Sequence, residues 1–112
     1  MNEKIPKDIE EKISQLQLLE QTMQNILIQK QQSQLQHAEI ENALKELESV
    51  KEQPFKIIGN IMIKTEKAQL VSELQEKKEV LELRIKTLDK QEKTTKQKAG
   101  DVQEEVLKHL KP

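Results

Sequence analysis

Apolar residues recur through the first half of the chain at alternating spacings of four and three, at Ile5, Ile9, Leu16, Leu19, Met23, Ile26, Ile40, Leu44 and Leu47. Lys12, Lys30, Ser33, His37 and Lys51 fill the remaining positions of the same series. This spacing draws a single stripe along an α-helix and, sustained over about six heptads, predicts a coiled-coil helix. Pro6 suits a first helical turn, where its missing N–H is no loss, and Pro54 pushes the residue before it out of the helical region. Helix 1 is therefore placed at about residues 6–52. A second stripe runs through Val71, Leu74, Lys78, Leu81, Ile85, Leu88, Glu92, Thr95, Ala99, Val102, Val106 and His109. It places helix 2 at about residues 66–110, with Glu66 near the positive end of the helix dipole.

Between the stripes, the periodicity changes. Ile57, Ile58, Ile61 and Ile63 are β-branched, and Gly59-Asn60 at their centre tolerates the positive φ of a two-residue turn. We read a β-hairpin at about residues 55–64, with strands from Lys56 to Ile58 and from Ile61 to Lys64. A lone hairpin of this length buries too little apolar surface to offset the ordering of its backbone. The chain offers no other strand, so the missing strands are expected from other subunits. The fold class is mainly α: a long antiparallel coiled-coil helical hairpin with one short β-hairpin at the helix junction, in a single domain over residues 1–112.

With the turn at Gly59-Asn60, residues equidistant from it along the chain face each other. The glutamine-rich stretch of helix 1, with Gln29, Gln31, Gln32, Gln34 and Gln36, is then set against the lysine-rich stretch from Lys86 to Lys98. Lys30, Ser33 and His37 place three successive polar residues in the seam, a gap expected to loosen packing or to fix register. Gly100 costs a helix about 1 kcal/mol relative to Ala and is expected to mark a bend or a frayed segment. Beyond it, Val102, Val106, Leu107 and Leu110 lie opposite Ile5, Ile9, Ile13 and Leu16. Ile9, Leu16 and Val102 are expected to zip the helices, and Ile5, Ile13, Leu107 and Leu110 to face solvent, where an apolar patch marks a binding site.

Composition narrows the function classes. With 112 residues, 34% apolar content and one aromatic side chain, the chain lacks the material for a compact globular core, while 35% charged residues suit long helices. The absence of cysteine excludes disulfides and thiolate-ligated metals. The net charge of −1 argues against nucleic acid as a partner, and no apolar run is long enough for a membrane span, so a cytoplasmic location is expected. Charge is uneven: Met1 to Gln53 carries ten acidic and six basic residues, Pro54 to Pro112 ten acidic and thirteen basic. His37 and His109 are separated along the chain, Ser33 and Ser72 have no partnered histidine, and no phosphate-binding glycine loop occurs, so neither an enzyme nor a cofactor is expected.

Two segments carry a family resemblance. Phe55-Lys56-Ile57-Ile58-Gly59-Asn60-Ile61-Met62-Ile63-Lys64 resembles the aromatic-Lys-x-x-Gly hairpin of archaeal prefoldin beta subunits, and Leu81-Glu82-Leu83-Arg84-Ile85-Lys86-Thr87-Leu88-Asp89-Lys90-Gln91-Glu92 is similar to their second-helix signature. The resemblance implies a hexamer of two alpha and four beta subunits, joined by their hairpins. It also implies an ATP-independent chaperone whose coiled-coil tips capture unfolded polypeptide and pass it to a group II chaperonin. Carried over to this chain, Ile57, Ile58, Gly59, Ile61, Met62 and Ile63 would serve assembly, and Ile5, Ile9, Ile13, Val106, Leu107 and Leu110 would contact clients. The chain departs from the family in a short connection from Ser49 to Pro54 and in Gly100. A structural coiled-coil adaptor or stalk without client binding is the alternative reading.

Overall fold

The structure is a computed structural model and describes residues 5–110. Two long helices, α1 (Lys7–Ser49) and α2 (Lys67–Leu110), are joined through two short strands, β1 (Phe55–Ile58) and β2 (Ile61–Lys64). The Pro6 carbonyl accepts the first helical bonds, from Ile9 N at 3.0 Å and Glu10 N at 3.1 Å, so the proline caps α1 rather than lying inside it. Asp8 and Glu10 place negative charge in that first turn, where the helix dipole favours it.

α1 stops at Ser49, three residues short of the expected limit, so the helix ends before Pro54 can terminate it. The chain closes that end with a tighter turn, Val50 N donating to Leu47 O at 3.3 Å, while Lys67 Nζ donates to the Val50 carbonyl at 2.9 Å. These bonds satisfy carbonyls that the end of a helix leaves without partners. α2 begins once the Glu66 carbonyl accepts Leu70 N at 2.9 Å and runs unbroken through Gly100 to Leu110. The helix therefore does not break or fray at Gly100: one helical glycine among good helix formers is a local cost that the seam on either side overrides. Lys108 and His109 complement the dipole in the last turn.

The chain divides into two compact units. One comprises the part of α1 up to Lys30 and the part of α2 from Thr87 onward; its buried side chains are Ile9, Ile26, Leu88, Thr95, Val102 and Val106. The other, Gln31–Lys86, contains the hairpin and the adjoining helical segments, and buries Ser33, Leu47, Thr65, Leu70 and Leu81. In both, the buried positions follow the four-three stripes, with Leu70 and Thr65 added where the hairpin meets α2. No large side chain among the described residues is fully buried, as expected where the core is a seam between two helices.

Within each unit the helices are antiparallel, and charged side chains flank the seam. In the first, Lys30 Nζ lies 2.7 Å from Asp89 Oδ1 and 3.1 Å from Glu92 Oε1, and Lys12 pairs with Glu105. In the second, His37 Nε2 lies 3.0 Å from Glu82 Oε1, and Lys78 Nζ lies 3.6 Å from Glu41 Oε1. The polar gap is thus bridged: Ser33 is small enough to be buried at 3% exposure, while Lys30 and His37 reach across to carboxylates on α2. The hydrogen bonds that Lys30 donates to Asp89 and then Glu92 hold its ammonium above its ordinary pKa, and the bond that Lys12 donates to Glu105 does the same there.

Candidate functional site

The hairpin is built from an alternating pattern and a glycine turn. Phe55 pairs with Lys64, Lys56 with Ile63, Ile57 with Met62 and Ile58 with Ile61, antiparallel and in one register. Gly59 carries the turn at φ +60°, in the left-handed region that costs an L-residue about 1 kcal/mol or more. Successive side chains point to opposite faces, so Lys56, Ile58, Ile61 and Ile63 share one face and Phe55, Ile57, Met62 and Lys64 the other.

Several contacts fix the base of the hairpin. Thr65 N donates to the Pro54 carbonyl at 3.0 Å, Lys56 Nζ reaches Glu73 Oε2 at 3.1 Å on α2, and Gln53 Nε2 donates to Glu66 Oε1 at 3.1 Å. The Lys64 ammonium stands 6.0 Å from the centre of the Phe55 ring. The apolar side chains remain uncovered: Ile57 is 71% exposed, Met62 65% and Ile61 63%, and Phe55, Ile58 and Ile63 are also exposed. Strand pairing holds the backbone while both faces stay open. Covering a fully exposed Ile or Met contributes about 2 kcal/mol, so this surface has a large free energy to gain from a partner.

The residues expected at the helix ends separate into two groups. Ile9 and Val106 are buried at 5% and 8% exposure, in line with Val102 on the same stripe, so they join the helices and present no surface of their own. Ile13 is half-buried. Ile5, Leu107 and Leu110 are 47%, 50% and 64% exposed. Leu107 differs from its neighbour Val106 because one residue turns a helix by about 100°, away from the seam.

Other exposed apolar residues, Leu18, Leu27, Ile28, Leu35, Val80 and Leu83, were not singled out as candidate site residues in the sequence. Their signal was present as apolar positions that do not fit the seam spacing. Among the described residues, no three His, Cys, Asp or Glu side chains gather in a way that could hold a metal ion, and no helix is long and apolar enough to cross a membrane.

A protein-family model described as prefoldin subunit matches residues 10–111. Prefoldin subunit beta of Archaeoglobus fulgidus is 34% identical over 110 residues, covering 96% of this chain and 95% of the relative. That of Thermococcus onnurineus is 36% identical over 110 residues, with the same coverage of 96% and 95%. The crystal structure of the prefoldin beta subunit from Thermococcus strain KS-1 superposes with a TM-score of 0.86 at 34% identity, covering 99% of each chain. Helix order, mid-chain hairpin and sequence thus agree along nearly the whole length, and the chain belongs to the prefoldin family, with archaeal beta subunits among its similar relatives.

Proposed function

We propose that this chain is a beta-type subunit of a cytoplasmic chaperone hexamer of two alpha and four beta subunits, which holds unfolded polypeptides without hydrolysing ATP and delivers them to a group II chaperonin. The observation that carries this reading is the hairpin: a paired, ordered backbone with Ile57, Ile58, Ile61, Met62 and Ile63 exposed on its two faces. Such a surface is complete only when strands of further subunits cover it, and Gly59 keeps its turn tight enough to admit them. The chain's part in the work is binding rather than bond chemistry.

Ile5, Ile13, Leu107 and Leu110 form the client contacts in this reading, with Ile9 and Val106 supporting them from the seam. A few partly exposed aliphatic side chains bind an unfolded chain weakly. Several such surfaces on one assembly raise the effective concentration for each further contact, so a hexamer holds a client that one subunit releases.

The test mixes this chain with a prefoldin alpha subunit, measures the mass of the complex, and follows the aggregation of a denatured protein by light scattering. A hexamer that suppresses scattering is expected. Leu107→Ser with Leu110→Ser is expected to weaken suppression at unchanged mass. A chain that stays alone, or a hexamer that leaves scattering unchanged, would instead favour a structural stalk.

A further inference from the structure

Nearly all of the hairpin stands clear of the helices. Every strand residue except Lys56 is exposed, and Lys56 alone is half-buried. Its ammonium lies 3.1 Å from Glu73 Oε2 and 3.4 Å from Glu73 Oε1 on α2. Among the described residues this is the one hydrogen-bonded pair that links a strand side chain to a helix. The remaining bonds near the hairpin, from Thr65 N to the Pro54 carbonyl, from Gln53 to Glu66 and from Lys67 to the Val50 carbonyl, lie where the chain enters and leaves the strands. A two-stranded ribbon held only at its foot is free to tilt, because no side-chain packing opposes the motion.

The pair forms among competing charges. Glu39, Glu76, Lys77 and Arg84 line the same shallow depression as Lys56 and Glu73. Among the described residues, Lys56 nevertheless bonds neither Glu39 nor Glu76, and Glu73 bonds neither Lys77 nor Arg84. Lys56 shares its face of the hairpin with Ile58, Ile61 and Ile63, so the tie turns that face towards α2 and leaves Phe55, Ile57 and Met62 facing away. The two side chains are 31% and 37% exposed, and a pair so open to water contributes little to folding. Favouring one tilt over its neighbours is a smaller task, and association then starts from a larger competent fraction of the subunits.

We propose that Lys56 and Glu73 are positioning residues for assembly: they hold the hairpin at the tilt at which another subunit meets it, and so speed assembly without touching the incoming subunit. This role rests on the proposed assembly through the hairpin and adds to it the device that presents the surface.

The test uses the full-length chain and a prefoldin alpha subunit. Because the chain holds no cysteine, Asn60→Cys with Gln75→Cys places one spin label at the turn and one at an exposed position of α2, and the distribution of distances between them reports the tilt in the unmixed chain. Glu73→Gln and Lys56→Met are each expected to broaden that distribution and, in the unlabelled chain, to slow formation of the complex about fivefold, the double variant being no slower than either single one. Lys56→Arg is expected to keep both readings at wild-type values, since a guanidinium also pairs with a carboxylate. The urea midpoint of the chain alone is expected to stay unchanged in all of these variants. An unchanged distance distribution in Glu73→Gln, slowing by Lys56→Met alone, additive losses in the double variant, or a lowered urea midpoint would overturn the role. Ile57→Asp with Ile61→Asp separates it from the reading beneath it. Wild-type assembly by that variant would remove the hairpin from the interface and the positioning role with it, whereas lost assembly there beside a wild-type rate in Glu73→Gln would reject the positioning role alone.

Discussion

Truncating Leu81 and truncating Leu83 to alanine are expected to differ several-fold in cost, although both leucines lie on α2 within the same compact unit. Leu81 is 7% exposed and Leu83 is 66% exposed. Leu→Ala removes the equivalent of about three methylene groups, about 2.4 kcal/mol of transfer free energy at full burial. Scaled by the covered fraction, the loss is about 2 kcal/mol at position 81 and under about 1 kcal/mol at position 83. The higher helix propensity of alanine returns about 0.2 kcal/mol at each site. A cavity contribution adds little, because a seam with no fully buried large side chain can settle into the space. The net expectation is about 2 kcal/mol against about 0.5 kcal/mol. Urea unfolding of the full chain, followed by helical circular dichroism at matched concentrations, measures both. Equal destabilisation, or a larger effect at Leu83, would show that the seam does not run where the burial places it.

The two glycines are expected to respond oppositely to alanine, since an added Cβ meets nothing within 4 Å at either one. Gly100→Ala should stabilise the chain by about 1 kcal/mol through helix propensity, and Gly59→Ala should cost about 1 kcal/mol through its left-handed φ; shifts of the same sign in thermal unfolding would contradict this. Lys12 and Lys30 both have pKa values raised above the ordinary 10.5 in the folded chain. Their contribution is therefore complete below that pH and disappears as pH rises through the higher folded values. Lys30→Met should reduce the alkaline loss of stability, and parallel wild-type and variant curves would refute it. Ile57→Asp with Ile61→Asp should abolish assembly, read as mass by light scattering, while helical content stays unchanged; a retained hexamer would remove the hairpin from the interface.

The stripes were legible because a two-helix seam imposes its spacing on every heptad. Leu16, Leu19, Met23 and Ile26 lie where the four-three count places them, as do Leu81, Leu88 and Val102. The turn was legible for a local reason: Gly59-Asn60 between β-branched runs has few alternatives. What escaped sequence reading depends on contacts between distant segments. The identities of Lys30 and His37 revealed a polar gap but not that Asp89, Glu92 and Glu82 would reach them. Thr65 and Leu70 are buried by the return of the chain at the hairpin base, which no periodicity encodes. The early end of α1 at Ser49 likewise depends on Lys67 capturing the Val50 carbonyl. The family resemblance groups Ile9 and Val106 with client contacts, whereas helical phase turns Val106 into the seam and its neighbour Leu107 out of it.

The polar ties onto α2 also define an order in time. Lys56 and Glu73 are 17 residues apart, His37 and Glu82 45, and Lys30 and Glu92 62. Loop closure becomes costlier as the separation grows, so after the turn forms, each tie shortens the loop that the next must close. During synthesis, α1 emerges before any residue of α2 exists. Ile9, the first of the buried seam residues in chain order, is then made long before α2 can cover it, and a newborn subunit exposes the kind of apolar surface that its assembled form is proposed to shelter.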